Sequence, residues 1–168
     1  MGFALSKAQT EAPTKFILNQ DGLTDFVIIE TPSKSKHELF SQSLEWLRHR
    51  SSNNRSLILD IEENSYIRFE ERTNNLYIIE EENTQIPLLA KYKIEIHFRE
   101  GKYIFDVTDA SYLDSENTWY EIPFYTFYKQ DGSLKRQFKY KDQIPNFFND
   151  LNLSLKTYLT KTENNRSP

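Results

Sequence analysis

The chain contains no cysteine and only four glycines among its 168 residues. Without cysteine it cannot form a disulfide, a zinc–thiolate site, an iron–sulfur cluster or a thiol nucleophile. The glycine patterns of phosphate-binding loops and of the nucleophile elbow are also missing from the sequence. The three histidines, His37, His49 and His97, lack the spacing of a zinc site. We therefore expect no cofactor and no metal ion.

An excess of basic residues is missing as well, since the formal net charge is -4. A chain of this balance has no general attraction to the phosphate backbone of nucleic acids. No apolar run approaches the ~18 residues of a membrane-spanning helix. We therefore expect neither a nucleic-acid partner nor a membrane span. Aromatic residues make up 14 % of the chain, which is enough to build a core that is rich in rings.

The length and the pattern of the chain predict a single α+β domain over residues 13–161. We expect residues 1–12 to be a disordered segment or the remnant of a signal peptide, and residues 162–168 to be a disordered tail. Ser6 and Ala8 occupy the small-residue positions of a signal cleavage site. This predicts a periplasmic or secreted protein, with a cytoplasmic location as the alternative.

The first part of the chain reads as a hairpin followed by a helix. Two apolar runs, residues 15–18 and 23–30, flank the turn-forming pair Asp21-Gly22. The helix begins at Ser35, which has the spacing of a capping box with Glu38. A second helix is predicted near the C-terminus, because apolar residues repeat at helical spacing from Ile144 to Leu159.

The middle of the chain reads as antiparallel strands. Residues 53–82 predict a meander of three strands, with the second turn at Asn74-Asn75. Residues 91–108 predict a hairpin turning at Glu100-Gly101, with apolar and charged side chains alternating. A sheet with one apolar face must be covered on that face, and the two helices are the available cover.

The order of these elements and several motifs resemble a bacterial domain family of unknown function. The resemblance rests on the run from Phe16 to Pro32, on Ser35-Lys36-His37-Glu38-Leu39-Phe40 with Trp46 in the same helix, and on the hairpin with Gly101 in its turn. That family is described as having a TATA-binding-protein-like (TBP-like) fold. The resemblance implies a curved antiparallel sheet with two main helices on one face, and its members commonly carry export signals. It supplies no catalytic residues.

Two surfaces are candidates for binding. The segment from residue 119 to 128 is dense in aromatic residues, which stack on sugars or fill a partner's pocket when they are exposed. The charged side of the 91–108 hairpin is the second surface, although cross-strand pairing on a wet face also explains it. The candidate residues are Trp119, Tyr120, Tyr125, Tyr128, Lys93, His97 and Arg99.

The function that these features favour is a non-enzymatic, exported domain that binds a partner protein or an envelope glycan. One alternative is a hydrolase that uses paired carboxylates from Glu62-Glu63, Glu70-Glu71 or residues 80–82. These acidic pairs are also explained as charges that keep strand ends soluble. A second alternative is nucleic-acid binding through the sheet, which the acidic balance disfavours. An open sheet face or an edge strand is also compatible with a homodimer.

Overall fold

A computed structural model describes the chain over residues 12–51 and 56–164. In chain order the elements are β1 (Leu18–Asn19), β2 (Gly22–Leu23), β3 (Phe26–Glu30), α1 (Lys36–Ser51), β4 (Ser56–Glu62), β5 (Tyr66–Glu81), β6 (Thr84–Arg99), β7 (Lys102–Leu113), β8 (Trp119–Glu121), two 3₁₀ turns (Phe124–Phe127 and Arg136–Phe138) and α2 (Gln143–Asn164). No described helix combines the length and the apolar character that crossing a membrane requires.

Strands β3 to β8 form one antiparallel sheet. The order across the sheet is β3-β7-β6-β5-β4, so β3 and β4 are its two edges. Strand β3 pairs with residues 102–106 of β7, and β8 pairs with residues 111–113 near the end of the same strand. Strands β1 and β2 form a separate small hairpin. The topology therefore leaves β7 with two different neighbours on its outer side.

Both helices pack on one face of this sheet, which we call the helix side. Trp46 of α1 meets Phe69 of β5 with 6.1 Å between ring centroids. Phe148 of α2 meets Tyr92 of β6 at 5.6 Å. Side chains alternate along a strand, so the apolar row faces the helices and the polar row faces away. The predicted class is therefore confirmed as an α+β fold, an antiparallel sheet with two helices on one face.

The opposite face of the sheet, which we call the outer face, carries mainly charged side chains. Residues that are opposite each other in neighbouring strands point to the same face. The half-buried or exposed residues of this face include Phe26 and Ile28 of β3, Ile104 and Asp106 of β7, Lys91, Lys93, Glu95 and His97 of β6, Tyr66, Arg68, Glu70 and Arg72 of β5, and Leu57 and Asp60 of β4.

The predicted hairpin of residues 91–108 is confirmed, although β6 starts earlier, at Thr84. Ile94, Ile96 and Phe98 are buried on the helix side, at 0 %, 1 % and 1 % exposure. Gly101 sits in the turn with a φ of 69°, where glycine is favoured, and an added Cβ would lie 3.4 Å from the backbone of Pro32. Two backbone hydrogen bonds, from Thr31 N to Gly101 O at 2.7 Å and from Gly101 N to Lys34 O at 3.0 Å, join the hairpin turn to the segment before α1.

The predicted meander of residues 53–82 is wrong in its number of strands. The turn expected at Asn74-Asn75 does not form, and β5 continues through it to Glu81. Strand β6 runs past this point without interruption, and the pairing register shifts between Thr73 and Tyr77. The two asparagines therefore lie in a bulge, because the partner strand continues and the irregularity is absorbed inside the ladder. Residues 53–55 lie outside the described residues.

Two other boundaries differ from the sequence prediction. Leu18 pairs with Leu23 as expected, but Asn19 pairs with Gly22, so the chain turns at Gln20-Asp21 and not at Asp21-Gly22. The second predicted strand, residues 23–30, is interrupted after Leu23. Its remaining part, β3, pairs with β7 and does not continue the hairpin. Helix α2 ends at Asn164, three residues into the predicted tail. The predicted N-terminal segment lies outside the described residues up to position 11.

The predicted capping box at the start of α1 is confirmed. The backbone N–H of Ser35 donates to Glu38 Oε2 at 3.0 Å, and the backbone N–H of Glu38 donates to Ser35 Oγ at 3.2 Å. The two side chains also meet each other, with 2.8 Å between Ser35 Oγ and Glu38 Oε2. These bonds satisfy N–H groups that have no partner within the helix.

Replacing Ser35 by alanine is expected to lower the free energy of unfolding by about 1 kcal/mol, because this cap is lost. The measurement is urea denaturation followed by circular dichroism. Ser41→Ala in the exposed part of the same helix is the matched control, and it is expected to change stability by less than about 0.5 kcal/mol. Equal losses in the two variants would show that the box contributes nothing specific.

Candidate binding surface

The middle of the outer face is a network of ion pairs. Glu95 accepts a bond from Arg68 Nε at 2.6 Å and lies 2.8 Å from His97 Nε2. Lys93 Nζ lies 2.9 Å from Asp109 Oδ2. Each of these basic side chains therefore has a carboxylate partner within the sheet itself. Arg99, the remaining predicted site residue of this hairpin, is exposed at the end of β6.

Trp119 lies at one end of the outer face, where β8 joins the sheet. It is half-buried and pairs with Leu113 of β7. Lys91 Nζ lies 4.6 Å from the centroid of the Trp119 ring, and Arg72 Cζ lies 5.6 Å from it. A cation at this range is attracted by the negative face of an aromatic ring. We call Trp119, Lys91 and Arg72 the Trp119 cluster.

The other predicted aromatic residues are not gathered around Trp119. Tyr120 packs beside Tyr112 at 6.0 Å on the helix side and is 48 % exposed. Tyr125 is exposed in the first 3₁₀ turn. The hydroxyl of Tyr128 donates to the backbone oxygen of Leu18 at 3.1 Å, a bond within the fold. The aromatic segment is therefore divided between the outer face, the helix side and the core.

The edge of the outer face that β3 forms is apolar. Phe26 is 38 % exposed, and Ile28 and Ile104, which are opposite each other in the register, are half-buried. The sequence reasoning did not select these residues, nor Arg72 and Lys91. Their placement depends on the pairing of the strands. The sequence predicts that residues 23–30 pair with residues 15–18, whereas β3 pairs with β7. The outer face thus has an apolar edge, a charged middle and the Trp119 cluster at one end.

Glu71 is a buried carboxylate on the helix side. Its exposure is 5 %, and Arg50 at the end of α1 reaches it through Nε at 3.2 Å and Nη2 at 2.9 Å. The hydroxyls of Ser56 and Tyr92 also donate to it. Burial acts to raise the pKa of Glu71, but these hydrogen bonds and the charge of Arg50 outweigh burial and hold that pKa below its usual value.

Two further members of the predicted acidic groups are Glu70 and Glu80. Glu70 points to the outer face while Glu71 points to the helix side, because neighbouring strand residues alternate. Glu80 is paired with Lys139, which follows the second 3₁₀ turn. These carboxylates therefore have structural partners or separate locations.

One carboxylate pair that sequence reasoning missed lies on the outer face. Glu95 and Asp106 are opposite each other in neighbouring strands. The pKa of Asp106 is raised, first by burial and then by the charge of Glu95. Glu95 is already held by Arg68 and His97, so the pair is part of the ion-pair network. Among the described residues, no group of three or more acidic or histidine side chains could hold a metal ion.

Besides a cleft of about 370 Å³ beside Arg50 and Glu71, two clefts lie on the helix side. One, of about 580 Å³, lies between the bulge of β5 and the start of α2 and includes Asn75, Tyr140 and Gln143. The other, of about 410 Å³, is lined by rings that include Tyr77 and Tyr112. Burial raises the pKa of Tyr77 to about 12. Charged side chains also line both clefts, including Lys139 in the first and Glu80 in the second.

Two solved structures share this architecture. A DUF4468 family protein from Bacteroides ovatus superposes with a TM-score of 0.64 at 15 % sequence identity, covering 85 % of each chain. A TBP-like protein from Parabacteroides distasonis superposes with a TM-score of 0.60 at 15 % identity, covering 80 % of this chain and 90 % of that one. The fold is TBP-like. The predicted resemblance to a bacterial domain of unknown function with this fold is thereby confirmed at the level of structure.

Sequence comparisons add no further relative. No family model matches the chain. No curated protein matches it either. At 15 % identity the two structural neighbours show a shared fold and carry no information about activity.

Replacing Glu71 by glutamine is expected to lower the free energy of unfolding by about 1–3 kcal/mol at neutral pH, since the buried donors lose their charged acceptor. The lowered pKa of Glu71 means that its contribution exists above the unfolded pKa of about 4.3 and disappears as the pH falls through the folded value. The wild type should therefore lose stability more steeply than the variant on acidification.

Urea denaturation at several pH values between about 3 and 7 measures both effects. Glu70→Gln is the control, because it makes the same substitution on the outer face of the same strand. A wild-type stability curve parallel to that of Glu71→Gln over this range would contradict the assignment.

Proposed function

We propose that this protein is a non-enzymatic binding domain that recognises a partner protein through the outer face of its sheet. The observation that carries the proposal is the arrangement of that face, in which half-buried apolar residues, an ion-pair network and a tryptophan lie side by side. Interfaces combine an apolar core with a polar rim, and tryptophan and arginine are enriched among the residues that dominate binding energy.

The position of these groups on strands supports the proposal. Strands β5, β6 and β7 are the centre of the sheet and are anchored from behind by two helices. Side chains on such strands keep their spacing, so little conformational entropy is lost when a partner binds. The salt links of Glu95 with Arg68 and His97 restrict those side chains further.

A protein partner suits the face better than an envelope glycan does. Sugars stack on aromatic faces that are free, whereas the half-buried ring of Trp119 already has Lys91 and Arg72 close to its centroid. Tyr120 and Tyr125 are exposed, but Tyr120 lies on the helix side and Tyr125 in a separate turn. The aromatic residues therefore do not form one continuous platform for a sugar chain.

Nucleic-acid binding and hydrolysis are weaker alternatives. The outer face holds the carboxylates Glu70, Glu95 and Asp106 among its cations, and they oppose a phosphate backbone. For hydrolysis, the sequence candidates Glu71 and Glu80 are engaged by Arg50 and Lys139. An acid–base pair needs groups that are free to exchange protons with a substrate.

An exported location is part of the same proposal. Its support is the pair of small residues at positions 6 and 8 and the export signals that are common in the resembling family. A partner at the cell envelope would then be the natural target of the outer face.

Site-specific photo-crosslinking in cells that make the protein tests the proposal. A photoreactive amino acid in place of His97, on the outer face, is expected to give a discrete covalent adduct with another protein. The matched control is the same group in place of Leu153, which is 57 % exposed on α2. The control is expected to give no adduct. Adducts from both positions, or from neither, would contradict recognition through the outer face.

A further inference from the structure

Two cations stand opposite each other at the Trp119 cluster. In the register of β5 and β6, Arg72 pairs with Lys91, and both side chains are on the outer face. Like charges directly opposite in neighbouring strands are destabilising. Among the residues that the structure describes, neither Arg72 nor Lys91 has an ion pair with a carboxylate. The ring of Trp119 offsets part of the repulsion, because it attracts both cations.

Lys93, the next residue of β6 on the same face, differs from Lys91 in having carboxylates opposite it. Lys93 lies two positions along β6, yet it is opposite Glu70 in one neighbouring strand and Asp109 in the other. Its Nζ is 2.9 Å from Asp109 Oδ2. Lys91 instead has Arg72 on one side and the neutral Ser111 on the other. The sheet therefore neutralises Lys93 internally and leaves the charges of Lys91 and Arg72 for another group.

We propose that Arg72 and Lys91, beside Trp119, form a site for a carboxylate side chain of the partner protein, an inference that rests on the proposed function. A carboxylate placed between two cations accepts charge-assisted hydrogen bonds from both and removes their repulsion. The partner segment is acidic, with a glutamate or aspartate that reaches the Trp119 cluster while flanking residues lie along the charged middle of the outer face.

A single carboxylate fits this place better than a run of phosphates. The two cations are followed along the face by Asp109, which is paired with Lys93, and by Glu70, which lies opposite Lys93 in the register. The phosphates of a duplex are held at fixed positions, so those beside the bound one would face these carboxylates. A flexible acidic peptide can place one carboxylate at the Trp119 cluster and turn its other side chains towards solvent.

Fluorescence of Trp119 reports on the site directly. The chain has two tryptophans, so in a Trp46→Phe variant Trp119 is the one that emits. The probe is a hexaglutamate peptide, compared with hexaglutamine of equal length. We expect hexaglutamate to shift the emission of Trp119 and hexaglutamine to leave it unchanged. The dissociation constant for hexaglutamate should rise with added salt, because exposed charges are screened.

Charge-neutralising variants locate the effect. Arg72→Gln and Lys91→Gln are each expected to weaken hexaglutamate binding about tenfold. Lys93→Gln, on the same face, is expected to weaken it less than about twofold, because that cation already has a partner. Lys156→Gln on α2 controls for net charge and should have no effect. The melting temperature of Lys91→Gln should not fall, since the substitution removes a repulsive pair.

Several results would overturn the proposal. They are an absent shift with hexaglutamate, an equal shift with hexaglutamine, or equal weakening by Lys93→Gln and Lys91→Gln. Tighter binding of a trigalacturonate or of a short DNA duplex would assign the cluster to another class of ligand. If crosslinking from position 97 succeeds while hexaglutamate fails, the outer face binds a protein without this acidic contact. If both fail, the proposed function fails as well.

Discussion

The burial of one face of the sheet under two helices is the constraint on which the rest of the structure depends. Phe69, Tyr92, Ile94 and Phe105 are at most 1 % exposed on the helix side. Because side chains alternate along a strand, this burial leaves the intervening residues on the outer face. A slip of one residue in any strand would move its charged row under the helices, so packing on one side fixes the position of every group on the other.

Glu71 is the exception that shows how strong this constraint is. It continues the buried row of Ile67 and Phe69, so a carboxylate is placed on the apolar side. An unpaired charge there would be very unfavourable, and Arg50, Ser56 and Tyr92 together supply four hydrogen-bond contacts to it. The resulting network joins the end of α1 to three strands, β4, β5 and β6, just before the bulge of β5.

Local patterns in the sequence predicted local structure well and strand pairing poorly. The spacing of Ser35 and Glu38, and the alternation from Tyr92 to Phe98, depend on residues close in the chain, and both features are confirmed. The partner of β3, the bulge at Asn74-Asn75 and the two neighbours of β7 depend on distant segments. Asparagines suit turns and bulges equally, because they tolerate irregular backbone angles. Only the continuous strand β6 beside them decides between the two.

The same limit applies to the candidate surface. Trp119 could be selected from composition, but its two cations could not, because Arg72 and Lys91 are brought together by the pairing of β5 with β6. The sequence therefore predicts Lys93 of the same strand as a binding residue, although the structure pairs its charge with Asp109. The role of a charged side chain on a sheet depends on the residues that lie opposite it in the neighbouring strands. Lys93 and Lys91 look equivalent in the sequence. In the structure Lys93 is paired with Asp109, whereas Lys91 lies beside Trp119 and has no carboxylate partner among the described residues.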